Sequence, residues 1–179
     1  MILQAKIIFD FWHLYHIIVT MRKKKKRNQL CAICGKPING NSSKEHVFPR
    51  AIAKWTEEYI EPKEYIDLIY AIESDDNIVK THPDCNYEKS DSIISIEELH
   101  LIEDERAGLE SVYSEIEPYI EKYLSIKRDI LASQDGKCYL CKKELSDEGI
   151  LRRLDRSKPR ILENGGVMCV ECSDGFSPR

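Results

Sequence analysis

Six of the seven cysteines in this chain fall in three C-x-x-C pairs, Cys31/Cys34, Cys138/Cys141 and Cys169/Cys172. The seventh, Cys85, stands in His82-x-x-Cys85 with the same spacing. Two residues between ligands suit a turn that aims both at one ion, so these pairs constrain the fold more than composition does. Cys138, Cys141, Cys169 and Cys172 offer four thiolates across 27 intervening residues, with Gly165-Gly166 just ahead of the second pair as a turn signal. A closed four-thiolate zinc site of this kind is structural and explains stability, not activity. Cys31, Cys34, His82 and Cys85 offer a second zinc shell across 47 intervening residues. The alternatives are an ordinary surface histidine and buried free thiols. Charge interrupts the apolar N-terminal run and no small-residue cleavage site follows it, so no export signal is evident. That favours reduced thiolate ligands in an intracellular, cytoplasmic setting over disulfides.

A length of 179 residues bounds the chain to one ordinary domain or two small ones. The sequence divides into an apolar segment and basic run (1–27), a first motif block (28–92), an acidic helical connector (93–134) and a second cysteine block (135–179). Within 1–20, Lys6, Asp10, His13 and His16 argue against stable membrane insertion. Leu3, Ile7, Phe11, Leu14 and Ile18 predict an amphipathic helix docked on the body or on a partner, with a membrane anchor as the minority reading. Met21 offers a second start codon position. The stretch from Ala51 to Ile72 predicts helical segments broken near Pro62. Leu99, Ile102, Leu109, Val112, Ile116, Ile120 and Leu124 continue a helical pattern in which Pro118 is expected to open a second helix. Gly136 is expected to end it.

The net charge of -4 hides segregation. Arg22–Arg27 is six consecutive cations, residues 91–121 carry ten acidic groups against one Arg, and residues 137–160 carry eight basic groups against four acidic. Such blocks permit a basic face on an acidic protein, and equally they are ordinary solvated surfaces.

A zinc that clamps the two halves of the first block brings Glu45-His46 toward Asn77 and Asn86. A carboxylate and a carboxamide oxygen suit magnesium or manganese, a neutral imidazole can take a proton from water, and Lys89 could neutralise a nearby phosphate. Taken singly, each of these side chains also suits a turn or cap. The order C-x2-C … Glu45-His46-Val47-x-Pro49 … Asn77-x-Val79-x2-His82-x2-Cys85-Asn86-x2-Lys89 resembles the HNH endonuclease family, the zinc-bearing branch of the ββα-metal nucleases. The likeness covers residues 31–91, about a third of the chain. It implies His46 as general base, Glu45 and Asn86 as ligands of a catalytic Mg2+ or Mn2+, Asn77 as a brace for the loop that aims His46, and Lys89 as a phosphate contact. Glu45 departs from the aspartate of many members, and the insertion from Arg50 to Asp76 is long.

The second block resembles the same pattern with Asp155-Arg156-x2-Pro159, Asn164 and Ser173 in place of the active residues. An arginine stays protonated at neutral pH and cannot serve as a base. The expected fold is therefore α+β: a small ββα-metal zinc domain, a helical connector, and a zinc-ribbon-like module that has lost activity. Arg50, Arg152, Arg153, Arg156, Lys158 and Arg160 would suit a phosphate backbone, or merely cover a surface. The expected function is metal-dependent cleavage of DNA. One such site cuts one strand, so a double-strand break would need a homodimer or two encounters. The rival expectation is a zinc-dependent nucleic-acid-binding or adaptor protein that does not cut.

Overall fold

Short strands with little area of their own need a helix or metal to hold them, and each cysteine block supplies a helix and a candidate metal cluster. The computed structural model describes residues 29–145 and 149–178. The N-terminal segment and the basic run expected at 1–27 lie outside the described residues. In the first block β1 (Ser43–His46) leads through α1 (Ala51–Thr56) and α2 (Pro62–Ile72) to β2 (Ile78–Thr81) and α3 (Pro83–Lys89). β1 and β2 are antiparallel, with Ser43 opposite Thr81 and His46 opposite Ile78. Pro62 stands at the start of α2, where its missing N–H costs nothing, and Glu61 and Glu64 cap that end reciprocally.

One helix, α4 (Glu103–Ser133), then runs 31 residues. Glu103, Asp104 and Glu105 sit at its positive end. Asp135 and Gly136 adopt positive φ just past its other end, where Gly136 N–H bonds back to Leu131 O. The expected break at Pro118 does not occur: the proline lies inside a single helix. An internal proline costs about 3 kcal/mol. Burial of Ile116 and Ile120 on either side of it contributes about 2 kcal/mol each, so continuing the helix wins. Nor is this segment merely a solvated spacer. Leu109, Val112, Ile116, Ile120, Tyr123, Ile126 and Ile130 are all buried and form the spine of one apolar core, shared with Ile52 and Trp55 of the first block and Leu151 and Val167 of the second. At that seam a Cβ on Gly165 would lie 2.3 Å from Ile130 Cδ1 and 3.2 Å from Trp55, so any larger residue would force the Ile130 side chain to move.

The second block repeats the pattern without the intervening helices: β3 (Ile150–Arg153), β4 (Gly165–Met168) and α5 (Val170–Asp174). Ile150 pairs with Met168 and Arg153 with Gly165. The repetition extends to individual hydrogen bonds. Ala32 N–H donates to Lys80 O as Tyr139 N–H does to Val167 O, and Val47 N–H to Asn77 O as Leu154 N–H does to Asn164 O. Asn77 clamps both backbone groups of Phe48, and Asn164 clamps both of Asp155. These bonds equate Phe48 with Asp155, and hence Glu45-His46 with Arg152-Arg153. The expected matching of Asp155-Arg156 to Glu45-His46, which followed the shared x-x-Pro, is thus corrected by three residues. Among the described residues no helix is long and apolar enough to cross a membrane.

Candidate metal centres and a basic cleft

Each hairpin ends against a four-ligand cluster. Cys31, Cys34, His82 and Cys85 bring their ligand atoms within 4.8 Å of one another, and so do Cys138, Cys141, Cys169 and Cys172. Zinc–sulfur bonds of about 2.3 Å in a tetrahedron place sulfurs about 3.8 Å apart, and Cys141 Sγ lies 3.8 Å from Cys169 Sγ. In the first cluster Nδ1 of His82 is 3.4 Å from Cys34 Sγ and 3.9 Å from Cys85 Sγ. Its Nε2 lies 3.2 Å from Pro37 O. A proton donated there fixes the tautomer and leaves Nδ1 as the ligand. Both clusters therefore fit one zinc each in size and donor type, and the first also in the orientation of its His82 ring.

The protein prepares one thiolate in each cluster. Burial works to raise the Cys31 thiol, but the N–H groups of Cys34, His82 and Ile33 outweigh it and hold it at about 6. Cys138 is held at about 6 in the same way, against its own burial, by Cys141, Cys169 and Leu140. Burial and the neighbouring sulfurs push Cys85 and Cys169 up to about 12. A divalent cation is what such a crowd of thiols needs in order to ionise together.

His46, the last residue of β1, opens into a cleft of about 490 Å3. Its ring is aimed from both sides. Asn77, fully buried, accepts from Phe48 N–H at 2.9 Å and donates to Phe48 O at 3.0 Å and Ile72 O at 2.7 Å, which holds the turn after His46. Glu73 Oε2 lies 3.5 Å from His46 Nε2, close enough for electrostatic attraction but misaligned for a hydrogen bond. Arg50 grips both oxygens of Glu73 at 2.6 and 2.5 Å, and this contact holds the Glu73 carboxyl below its usual range. A carboxylate facing Nε2 favours the proton on that nitrogen and leaves Nδ1 as the acceptor. The sequence offered no hint of Glu73, which lies 27 positions from His46 at the far end of α2.

Lys89 departs from expectation. Rather than reaching outward for phosphate, it is 5% exposed and donates to Glu45 Oε1 at 2.8 Å and to the carbonyl of His46 at 3.0 Å. The burial of α3 against β1 turns it inward, where Glu45 is its counter-ion. Asn86 sits one turn earlier on α3 and is not among the cleft-lining residues. Arg50 does line the cleft, neutralised by Glu73.

The opposite wall comes from the second block. Arg152, Arg153, Arg156 and Arg160 line the same cleft as Glu45 and His46, and Lys54 of α1 joins them. Arg152, the counterpart of Glu45, donates to Oγ of Ser173, the counterpart of Asn86, at 2.6 Å. A guanidinium–hydroxyl contact thus stands where the first block carries a carboxylate and a carboxamide. Counting from the cysteines finds this correspondence: His46 is twelve residues past Cys34, and Arg153 twelve past Cys141. The described residues form a mixed α+β structure with two antiparallel hairpins, one long helix and two candidate zinc centres, and no known protein family, curated protein or solved structure matches the chain.

Proposed function

We propose that this protein is a metal-dependent endonuclease of the HNH type that hydrolyses DNA phosphodiester bonds, with His46 as general base. The observation that carries the reading is an imidazole at the end of a strand pair that abuts a candidate zinc cluster, backed by Glu73 and braced by Asn77, opening into a cleft whose far wall is arginine. Nδ1 of His46 takes a proton from water as the water oxygen bonds to phosphorus. The P–O3′ bond breaks, leaving a 5′-phosphate and a 3′-oxygen that is protonated from solvent.

A magnesium or manganese ion commonly binds through one or two side-chain oxygens plus substrate phosphate. Glu45 fits that sparse role through its second oxygen, since Lys89 holds only Oε1, and Asn86 is the other candidate ligand. When bound, the ion would stabilise charge on the phosphate and on the departing oxygen. Guanidinium groups across the cleft hold phosphate by charge-assisted hydrogen bonds.

The Lys89–Glu45 ion pair supports a second reading, a zinc-stabilised nucleic-acid-binding protein without cleavage, because it neutralises the carboxylate that a catalytic ion would use. The two separate in one experiment: nicking of supercoiled plasmid in magnesium or manganese, with His46→Ala beside the wild type and zinc content measured for both. Nicking by wild type alone supports the nuclease. Absence of cleavage by either on duplex, branched and single-stranded DNA, with binding intact, rejects it for the binding protein.

A further inference from the structure

The cleft is built from equivalent positions of the two blocks. Glu45 and Arg152 line it, as do His46 and Arg153, and Pro49 and Arg156, pairs that follow from the register the shared hydrogen bonds set. The blocks also touch through equivalent residues: the Tyr87 hydroxyl donates to Asp174, and each stands one position past the counterparts Asn86 and Ser173. Contact between a position and its own counterpart is the mark of a two-fold, isologous interface. Here the interface is inside one chain, and the cleft lies where its two hairpins converge.

The two walls differ in chemistry. Six cations line the cleft (Arg50, Lys54, Arg152, Arg153, Arg156 and Arg160) against the carboxylates of Glu45 and Asp91. Glu73 neutralises Arg50, Lys89 already holds Glu45, and Asp91 sits 4.0 Å from Arg152. Among the described residues no carboxylate lies within 4.0 Å of Arg153, Arg156 or Arg160. Burial, and then the neighbouring Arg153, lower the Arg160 pKa, and the carboxylate of Glu57 offsets them only in part. A chain with net charge -4 that gathers guanidiniums with no close ion-pair partner beside one imidazole calls for a polyanion there.

We propose that the second block is the gripping half of a single bipartite site, in which Arg153, Arg156 and Arg160 hold backbone phosphates of a nucleic-acid strand whose neighbouring phosphate lies at His46. The inference rests on the reading of His46 above for the identity of that neighbouring phosphate, but not for binding. An internal two-fold with one active half and one arginine half makes the monomer a complete unit that cuts one strand.

The test is fluorescence anisotropy of labelled single-stranded DNA, duplex DNA and RNA with the full-length, zinc-loaded chain across a salt series. Arg153→Ala/Arg156→Ala is compared with Lys63→Ala/Arg128→Ala, which removes the same charge from exposed positions outside the cleft. The cleft variant should bind at least one of the three about tenfold more weakly, and its log K against log salt slope should shrink by about 1.4 for a single strand, or about 1.8 for duplex DNA. The outer variant should stay close to wild type, and the arm showing the largest loss identifies the strand type. Equal losses in the cleft and outer variants, wild-type affinity in the cleft variant, or no binding by wild type would each overturn the proposal. Failure of nicking with this binding pattern preserved would reject the nuclease reading and leave the gripping site standing.

Discussion

Lys89 and Glu45 form the ion pair on which the interpretation of the cleft turns. Lys89→Met retains the apolar stem and deletes the ammonium. At 2.8 Å and an effective dielectric of about 20, the lost attraction is roughly 6 kcal/mol, most of it offset in the native protein by the cost of desolvating both ions. The mutant keeps the desolvation cost of Glu45 and loses the compensation. For a fully buried partner that costs about 3–5 kcal/mol. Glu45 retains 14% exposure toward the cleft, and water there lowers the expectation to about 2–3 kcal/mol. Urea unfolding of the zinc-loaded protein measures it, in a cycle with Glu45→Gln and the double variant. The coupling between the two sites should exceed about 1 kcal/mol, because residues in contact depart from additivity. Additive effects within about 0.5 kcal/mol, or a Lys89→Met variant as stable as wild type but weakened in nucleic-acid binding, would refute an inward-facing lysine and restore the expected phosphate contact.

Native mass spectrometry should find two zinc ions per chain, with Cys31→Ser and Cys172→Ser each losing one. A strong chelator should abolish the cooperative unfolding transition, since structural zinc contributes about 10 kcal/mol or more to small domains. Zinc uptake should release protons and weaken as pH falls, because Cys85 and Cys169, pushed up to about 12, must give up their protons to bind; pH-stat titration reads this directly. Asn77→Ala should cost about 3 kcal/mol by leaving the Phe48 backbone and Ile72 O unpartnered, and Asn164→Ala a comparable amount in the second block; denaturant midpoints at constant zinc check both. The Glu73 carboxyl lies below its ordinary value of 4.5 in the folded protein. Its ion pair with Arg50 therefore stabilises above that pH and is lost as pH falls through the lower folded value. With both side chains roughly half exposed the effect is under about 1 kcal/mol, seen as a flatter acid limb of the stability curve in Glu73→Gln.

The two candidate metal clusters were legible because a metal shell is a local pattern: two short-range pairs whose spacing survives any insertion between them. Asn77 stood out for the same reason, being tied to the strand that carries it into His82 and Cys85. Pro118 was misleading, because propensity is a local cost and the stripe from Leu109 to Ile130 that overrides it acts along the whole helix. The shared x-x-Pro drew the second block out of register, where the distance from each C-x-x-C gives the correct one.

Sequence alone thus determined the two candidate metal centres, the α+β class and the identity of His46 as the residue in question, since these follow from residue types at fixed short separations. Tertiary structure decided what surrounds His46. Glu73 arrives from the end of α2, Lys89 turns inward against Glu45, and the arginines of β3 and its following loop face His46 from more than a hundred residues away. The physical reason is the shared core on α4: burying one stripe from both sides brings the two hairpins together, and no local pattern encodes which charges then meet across the cleft.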